Sequence, residues 1–223
     1  MTGSPRIALI HATTVAFDPI HAAFARHWPE AELLNLLDDS LTPDRGRNRD
    51  LTPDLFDRFE ALGRYSVQAG AAGILVTCSA FGPAIERMAG RLPVPVLKPN
   101  QAMFEAAVTP GAHVGMVATF APSLPTMQAE FDEHVANSGI DARLTTILIE
   151  DAMTALRKGD AETHNRLIAE RAGDLAGFDA VMLAHFSTAR AEPALSAALS
   201  VPVISPPDAA VRRLRALMDA DGG

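Results

Sequence analysis

Short apolar runs alternate with longer amphipathic stretches from one end of the chain to the other. That alternation predicts parallel strands joined by crossover helices. Residues 7–11, 33–37, 74–77 and 94–97 read as strands of a first half, and 114–119, 144–149, 181–184 and 201–204 as strands of a second. Helical stretches lie around 19–28, 53–68, 83–90, 124–138, 161–176 and 208–218. Several open on Pro or Asp, which suit the first turn of a helix.

The halves repeat each other. One constant shift, which carries Gly70 onto Gly177, aligns "GAAGILVTCSAF" (70–81) with "GFDAVMLAHFST" (177–188) and "VPVLKPNQA" (94–102) with "VPVISPPDA" (201–209). The same shift lays "RIALIHAT" (6–13) over "HVGMVATF" (113–120), Phe24 over Phe131 and His27 over His134. Strand-rich segments match one another easily, but many matches at one shift indicate internal duplication. The expected fold is therefore α/β, with two pseudo-twofold-related lobes, each a small parallel sheet flanked by helices. The expected division is 1–99 plus 206–223 for the first lobe and 100–205 for the second. Ligands of open α/β sheets bind beyond the carboxyl ends of the strands. If the lobes face each other, those strand ends form the two walls of an interlobe active-site cleft.

Composition narrows the function. Apolar residues make up 48% of the 223, enough to fold by burial, while aromatics are only 5%, so Ala, Val, Leu, Ile and Met must fill the core. The net charge of −8, with no basic cluster, speaks against a nucleic-acid or acidic-membrane surface. The three arginines between Asp44 and Asp50 read as a solvated loop. A single cysteine allows no intrachain disulfide, and no apolar run approaches the roughly 20 residues that span a bilayer. With no basic-then-apolar leader before residue 7, a cytoplasmic location is expected. Neither a dinucleotide fingerprint nor a phosphate-binding loop occurs, and the histidines lack metal-ligand spacing, so no metal and no cofactor are expected. Glu150–Asp151 reads as an exposed acidic helix start, and Arg190 as a surface arginine or a partner for a second substrate carboxylate.

The duplication singles out two residues. Cys78 and His185 fall on the same position, just past equivalent strands and just before helices. Backbone N–H groups there can bind an anion and favour a thiolate. A buried thiol and a structural histidine are the ordinary readings of such residues. Their symmetric placement at a cleft makes catalysis the stronger one. Small hydroxyl residues, Ser79, Ser187 and Thr188, follow them.

"ILVTCSAFG" (74–82), "VPVLKPNQAM" (94–103), "GMVATFAPSLPTM" (115–127), "AMTALRKGDAETHNRLI" (152–168) and residues 181–189 together resemble the aspartate/glutamate racemase superfamily. Its members include hydantoin racemases, maleate isomerases and arylmalonate decarboxylases. The resemblance implies cofactor-independent chemistry between two facing cysteines, a small carboxylate-bearing substrate, often a homo-oligomer, and a C-terminal helix that returns to the first lobe. Cys78 matches the first cysteine, whereas His185 stands where the second would be. Matching carboxylate-binding positions are Thr13, Thr14, Ser79, Thr119, Ser187 and Thr188.

A Cys/His pair can still perform two-base isomerisation. With Cys78 as thiolate and His185 as imidazolium, one removes a proton and the other returns one, leaving the pair ready for the reverse direction. Reference values of about 8.5 and 6.5 place both groups near neutrality and predict a bell-shaped pH profile. The leading expectation is a racemase or isomerase acting beside a carboxylate or carbonyl. A decarboxylase using Cys78 as acid and a non-catalytic carboxylate-binding protein are the alternatives.

Overall fold

The structure is a computed structural model that describes residues 4–48 and 50–221. The chain divides into two compact units, Met1–Asn100 with Ala210–Gly223, and Gln101–Ala209.

In the first unit, β1 (Arg6–His11), β2 (Glu32–Leu37), β3 (Gly73–Val76) and β4 (Val96–Leu97) form one parallel sheet in the order β2-β1-β3-β4. The central strands are Ile-, Leu- and Val-rich because both of their faces are covered. On one face Ala8, Ile10, Ile74 and Val76 pack with Leu55, Phe59, Phe81, Ile85 and Met88. Those partners come largely from α3 (Pro53–Gln68) and α4 (Gly82–Ala89). The first unit also holds α1 (Phe17–His27) and α2 (Leu41–Gly46). The last helix, α11 (Pro206–Asp221), joins this unit from Ala210, where Arg215 donates to the His27 carbonyl (2.6 Å) and pairs with Glu30 (2.6 Å).

The second unit repeats the plan. β5 (His113–Ala118), β6 (Arg143–Leu148), β7 (Ala180–Leu183) and β8 (Val203–Ile204) are parallel in the order β6-β5-β7-β8. The period-2 alternation of a strand splits its core cleanly. Val114, Met116, Ala118, Met182 and Ala184 face Met103, Phe104 and Phe131, from α5 (Gln101–Ala107) and α6 (Leu124–Ser138). Val117, Val181 and Leu183 face Ala152, Ile168, Leu175 and Leu195. These belong to α7 (Glu150–Arg157), α8 (Ala161–Ala169), α9 (Ala172–Leu175) and α10 (Glu192–Ala198).

The two four-stranded parallel sheets flanked by helices are the expected fold class. Several details differ from the sequence reading. The fourth strand of each sheet shrinks to two residues, because Pro95 and Pro202 carry no N–H for a ladder; each only accepts, from Ile74 and Val181. The single helix expected over 161–176 breaks at Glu170–Arg171, with the weak helix former Gly173 just beyond. Of the arginines expected in a solvated loop, Arg45 lies in α2, while Arg47 follows it in an exposed turn. Buried Leu41 anchors α2, and Asp44 pairs with Arg47 and Arg58. Arg49 lies outside the described residues. Glu150 and Asp151 are indeed exposed at the start of α7. Among the described residues, no helix is long and apolar enough to cross a membrane.

Gly115, in the middle of β5, is required by packing. A Cβ there would lie 2.7 Å from the Phe178 ring, which is itself 4.5 Å from His113 in an edge-on contact. Gly115→Ala should therefore destabilise the protein by about 1–3 kcal/mol through overpacking, measured as a lower urea midpoint. Phe178→Leu in the same chain should recover part of the loss.

Candidate active site

In each sheet the chain diverges from the two central strands. β1 leads to β2 on one side and β3 to β4 on the other, and β5 and β7 behave alike. The carboxyl ends of β1 and β3, and of β5 and β7, are thus topological switch points, where parallel sheets open a crevice for ligands.

At the first switch point, Cys78 stands two residues past β3 in extended backbone and is half-buried. Ser79 opens the 3-10 turn Ser79–Phe81, and buried Phe81 pins that turn against Phe59 (5.0 Å between rings). Thr13 is half-buried past the end of β1, and Thr14 is exposed. Two contacts from α2 brace both loops. Thr42 donates to the Ala12 carbonyl (2.7 Å) and Arg45 to the Ala80 carbonyl (3.2 Å). The sequence reading missed this support, since a short helix with paired charges carries no signal of its role.

Burial pushes the Cys78 thiol above its ordinary pKa, and the Ala80 N–H at the sulfur offsets only part of that. Of the two states expected for the pair, this favours the one with a thiol. A helix start favours the anion, but desolvation of the sulfur outweighs it.

His11, next to this site, was also missed. Its Nδ1 meets the Thr77 hydroxyl (2.8 Å) and its Nε2 the Asn35 side-chain oxygen (3.0 Å), which also takes His21 Nε2 (2.8 Å). Both ring nitrogens are satisfied, so His11 is a structural histidine. Burial lowers its pKa to about 4 despite the Asn35 bond, and the nearby His21 adds to the lowering.

At the second switch point, β5 and β7 pair with Val117 beside Leu183, so Thr119 and His185 each follow two residues on at matching positions. Thr119 is buried and its hydroxyl oxygen has no hydrogen-bond partner. His185 binds the Ser123 hydroxyl through Nε2 (2.8 Å), while its Nδ1 is buried and has none. Ser123 lies in the 3-10 turn Ala121–Ser123. Two orphan polar atoms thus stand at neighbouring strand ends, and a buried polar atom without a partner is costly unless a ligand or water supplies one. Burial lowers the His185 pKa to about 4, so the ring is neutral at physiological pH.

The hydroxyls after His185 divide in role. Thr188 accepts from the His185 N–H (3.0 Å) and donates to the His185 carbonyl (2.6 Å), which holds the turn and uses its donor locally. Thr188 thus supports the turn that carries His185. Ser187 is buried, and its carbonyl accepts from Arg190 Nε (3.2 Å). Arg190 also acts on buried His164, whose pKa falls through burial first and the Arg190 charge in addition.

Two repeated parallel sheets with polar residues gathered at their switch points define an α/β fold of the racemase type. The chain belongs to the Asp/Glu/hydantoin racemase family, whose sequence profile matches residues 7–217. No curated protein sequence matches it. Among solved structures it is similar to glutamate racemase isoform RacE1 from Bacillus anthracis, at 13% identity and a TM-score of 0.73, covering 98% of this chain and 83% of that one. Allantoin racemase from Klebsiella pneumoniae is similar at 21% identity and a TM-score of 0.71, covering 98% and 89%. A liganded double mutant of arylmalonate decarboxylase is similar at 17% identity and a TM-score of 0.65, covering 96% and 92%. Identities this low establish a shared fold.

The depressed His185 pKa makes stability depend on pH. A histidine at about 4 when folded and near 6.5 when unfolded contributes fully above 6.5 and loses its contribution as pH falls toward 4. The loss from His185 amounts to about 3 kcal/mol at most. Urea midpoints measured from pH 7 to pH 4 should fall, and His185→Cys should flatten that fall, leaving the part due to His11 and His164.

Proposed function

We propose that the protein is a cofactor-independent isomerase acting on a carbon next to a carboxylate or carbonyl of a small substrate. His185 is the base and Cys78 the acid. The observation that carries this reading is the unpartnered, buried Nδ1 of a neutral His185 at a switch point. It is a proton acceptor held out of water, beside a hydroxyl, Thr119, that also lacks a partner. Cys78 complements it as a thiol held in its protonated form.

The step balances. His185 Nδ1 takes the α-proton, the C–H electron pair moves into the carboxylate to form an enediolate, and the Cys78 thiol returns a proton to the other face. The products are imidazolium and thiolate, the state from which the reverse reaction starts. Thr119 donates to the enediolate oxygen, as an oxyanion hole does. Thr13, Thr14, Ser79 and Ser187 supply further hydroxyls for the carboxylate. The proposal requires both catalytic residues to reach one carbon, as the family resemblance implies for two cysteines. The names of the similar proteins glutamate racemase, allantoin racemase and arylmalonate decarboxylase support a substrate of this class.

Decarboxylation is a second reading, favoured by the protonated thiol. Loss of CO₂ gives the same enediolate, and protonation by Cys78 alone completes it. A panel of small carboxylates and hydantoins incubated in D₂O and followed by NMR separates the two. Isomerisation places deuterium at the α-carbon without CO₂, and decarboxylation releases CO₂. Cys78→Ser should slow either reaction at least about 10²-fold. His185→Ala should abolish interconversion of enantiomers but spare a decarboxylase. Turnover unchanged in both variants would rule the site out.

The pH profile should be broad. A base at about 4 works above that value, and a thiol raised above its ordinary range donates up to alkaline pH. We expect kcat/KM to stay level across neutrality, falling toward pH 4 and again only at alkaline pH. A narrow bell centred on neutrality would contradict neutral resting states.

A further inference from the structure

We propose that Ser123 is a positioning residue that locks His185 in its Nε2–H tautomer and so makes Nδ1 the basic atom of the site. This rests on the reading of His185 as the base. Donors and acceptors alone fix this tautomer. The Phe120 carbonyl has no hydrogen, so at 2.8 Å the Ser123 hydroxyl must donate to it. That commits the single Ser123 proton, leaving lone pairs to face His185 Nε2 at 2.8 Å. Nε2 must then carry the hydrogen. A neutral imidazole has one N–H, so Nδ1 holds a free lone pair. That atom is the one left buried without a partner.

Two observations separate this arrangement from ordinary structure. Ser123 occupies the N-cap of α6, where a serine hydroxyl normally accepts from the helix's first N–H groups, yet its side chain makes no cap bond. The hydroxyl is turned to His185 instead. The internal repeat also places Ala16 where Ser123 stands, so the half that carries Cys78 has no such hydroxyl. The serine accompanies the histidine, a residue with two nitrogens to choose between. His11 provides the contrast: both its nitrogens are engaged, so its tautomer exposes nothing.

The phenyl ring of Phe120 is exposed, but its backbone carbonyl is the end of this relay. The chain runs carbonyl, hydroxyl, imidazole and lone pair, all within Gln101–Ala209. Its direction is fixed at the carbonyl, which can only accept.

The test is NMR of full-length protein labelled with ¹⁵N-histidine, at pH 7 without ligand. His185 is assigned by its loss in His185→Ala. Wild type should show Nε2 protonated and Nδ1 bare. Ser123→Ala should populate the Nδ1–H tautomer, and Ser123→Thr, which keeps the hydroxyl, should restore the wild-type pattern. On the panel member whose α-proton the wild type exchanges, Ser123→Ala should lower kcat about 10- to 100-fold with little change in KM. A merely structural serine would change stability without moving the tautomer. Nδ1–H in the wild type, or a tautomer unmoved in Ser123→Ala, overturns the proposal. The tautomer is read without turnover, so absence of α-exchange across the panel would refute the isomerase reading while the NMR still decides the role of Ser123.

Discussion

The pairing of β1 with β3, and of β5 with β7, is the constraint on which everything else depends. Each pair brings together strands separated by a long crossover, and both are buried on two faces. Once those ladders form, the chain must leave their carboxyl ends in opposite directions. The residues that follow are delivered to the switch points whatever their chemistry. Cys78 and His185 are equivalent because each lies two residues beyond such a strand. The repeat thus gives two equivalent placements that carry different side chains.

Burial then decides what those side chains can do. The same desolvation that raises the thiol lowers the imidazole, so the thiol keeps its proton and the imidazole lacks one. Two families of local contacts hold the groups in place. Thr42 and Arg45 brace the cysteine loops from α2, and Thr188 and Ser123 hold the histidine turn and ring. Supporting hydrogen bonds of this kind matter because proton transfer depends steeply on position. Histidine needs one more device than cysteine, since a thiol has one reactive atom and an imidazole has two.

Much of the architecture was legible in the chain. The eight strands of the two sheets announce themselves as apolar runs, and the sequence repeat alone pairs Cys78 with His185. What escaped was set by contacts distant in sequence. Helix α2 is short and charged, and forms around buried Leu41 and the Asp44–Arg58 pair. Helix α5 is likewise short and is held by burial of Met103, Phe104 and Ala107. Ser123 lies in a segment that carried the family resemblance, yet its partner His185 comes two strands later, just beyond β7. Which of the pair's two proton arrangements is favoured was not legible either, for a plainer reason. Reference pKa values describe exposed groups, and neither residue keeps its full exposure to water.

The central claim is that the pair rests uncharged, as thiol and imidazole. Cys78 is the only cysteine, so its ionisation can be read without ambiguity. The rate of alkylation by iodoacetamide, followed by intact mass as a function of pH, tracks the thiolate fraction. The account predicts a slow reaction through neutrality whose rate keeps rising past the ordinary thiol range, with no plateau there. A plateau reached near neutral pH would mean a thiolate at rest and would contradict it.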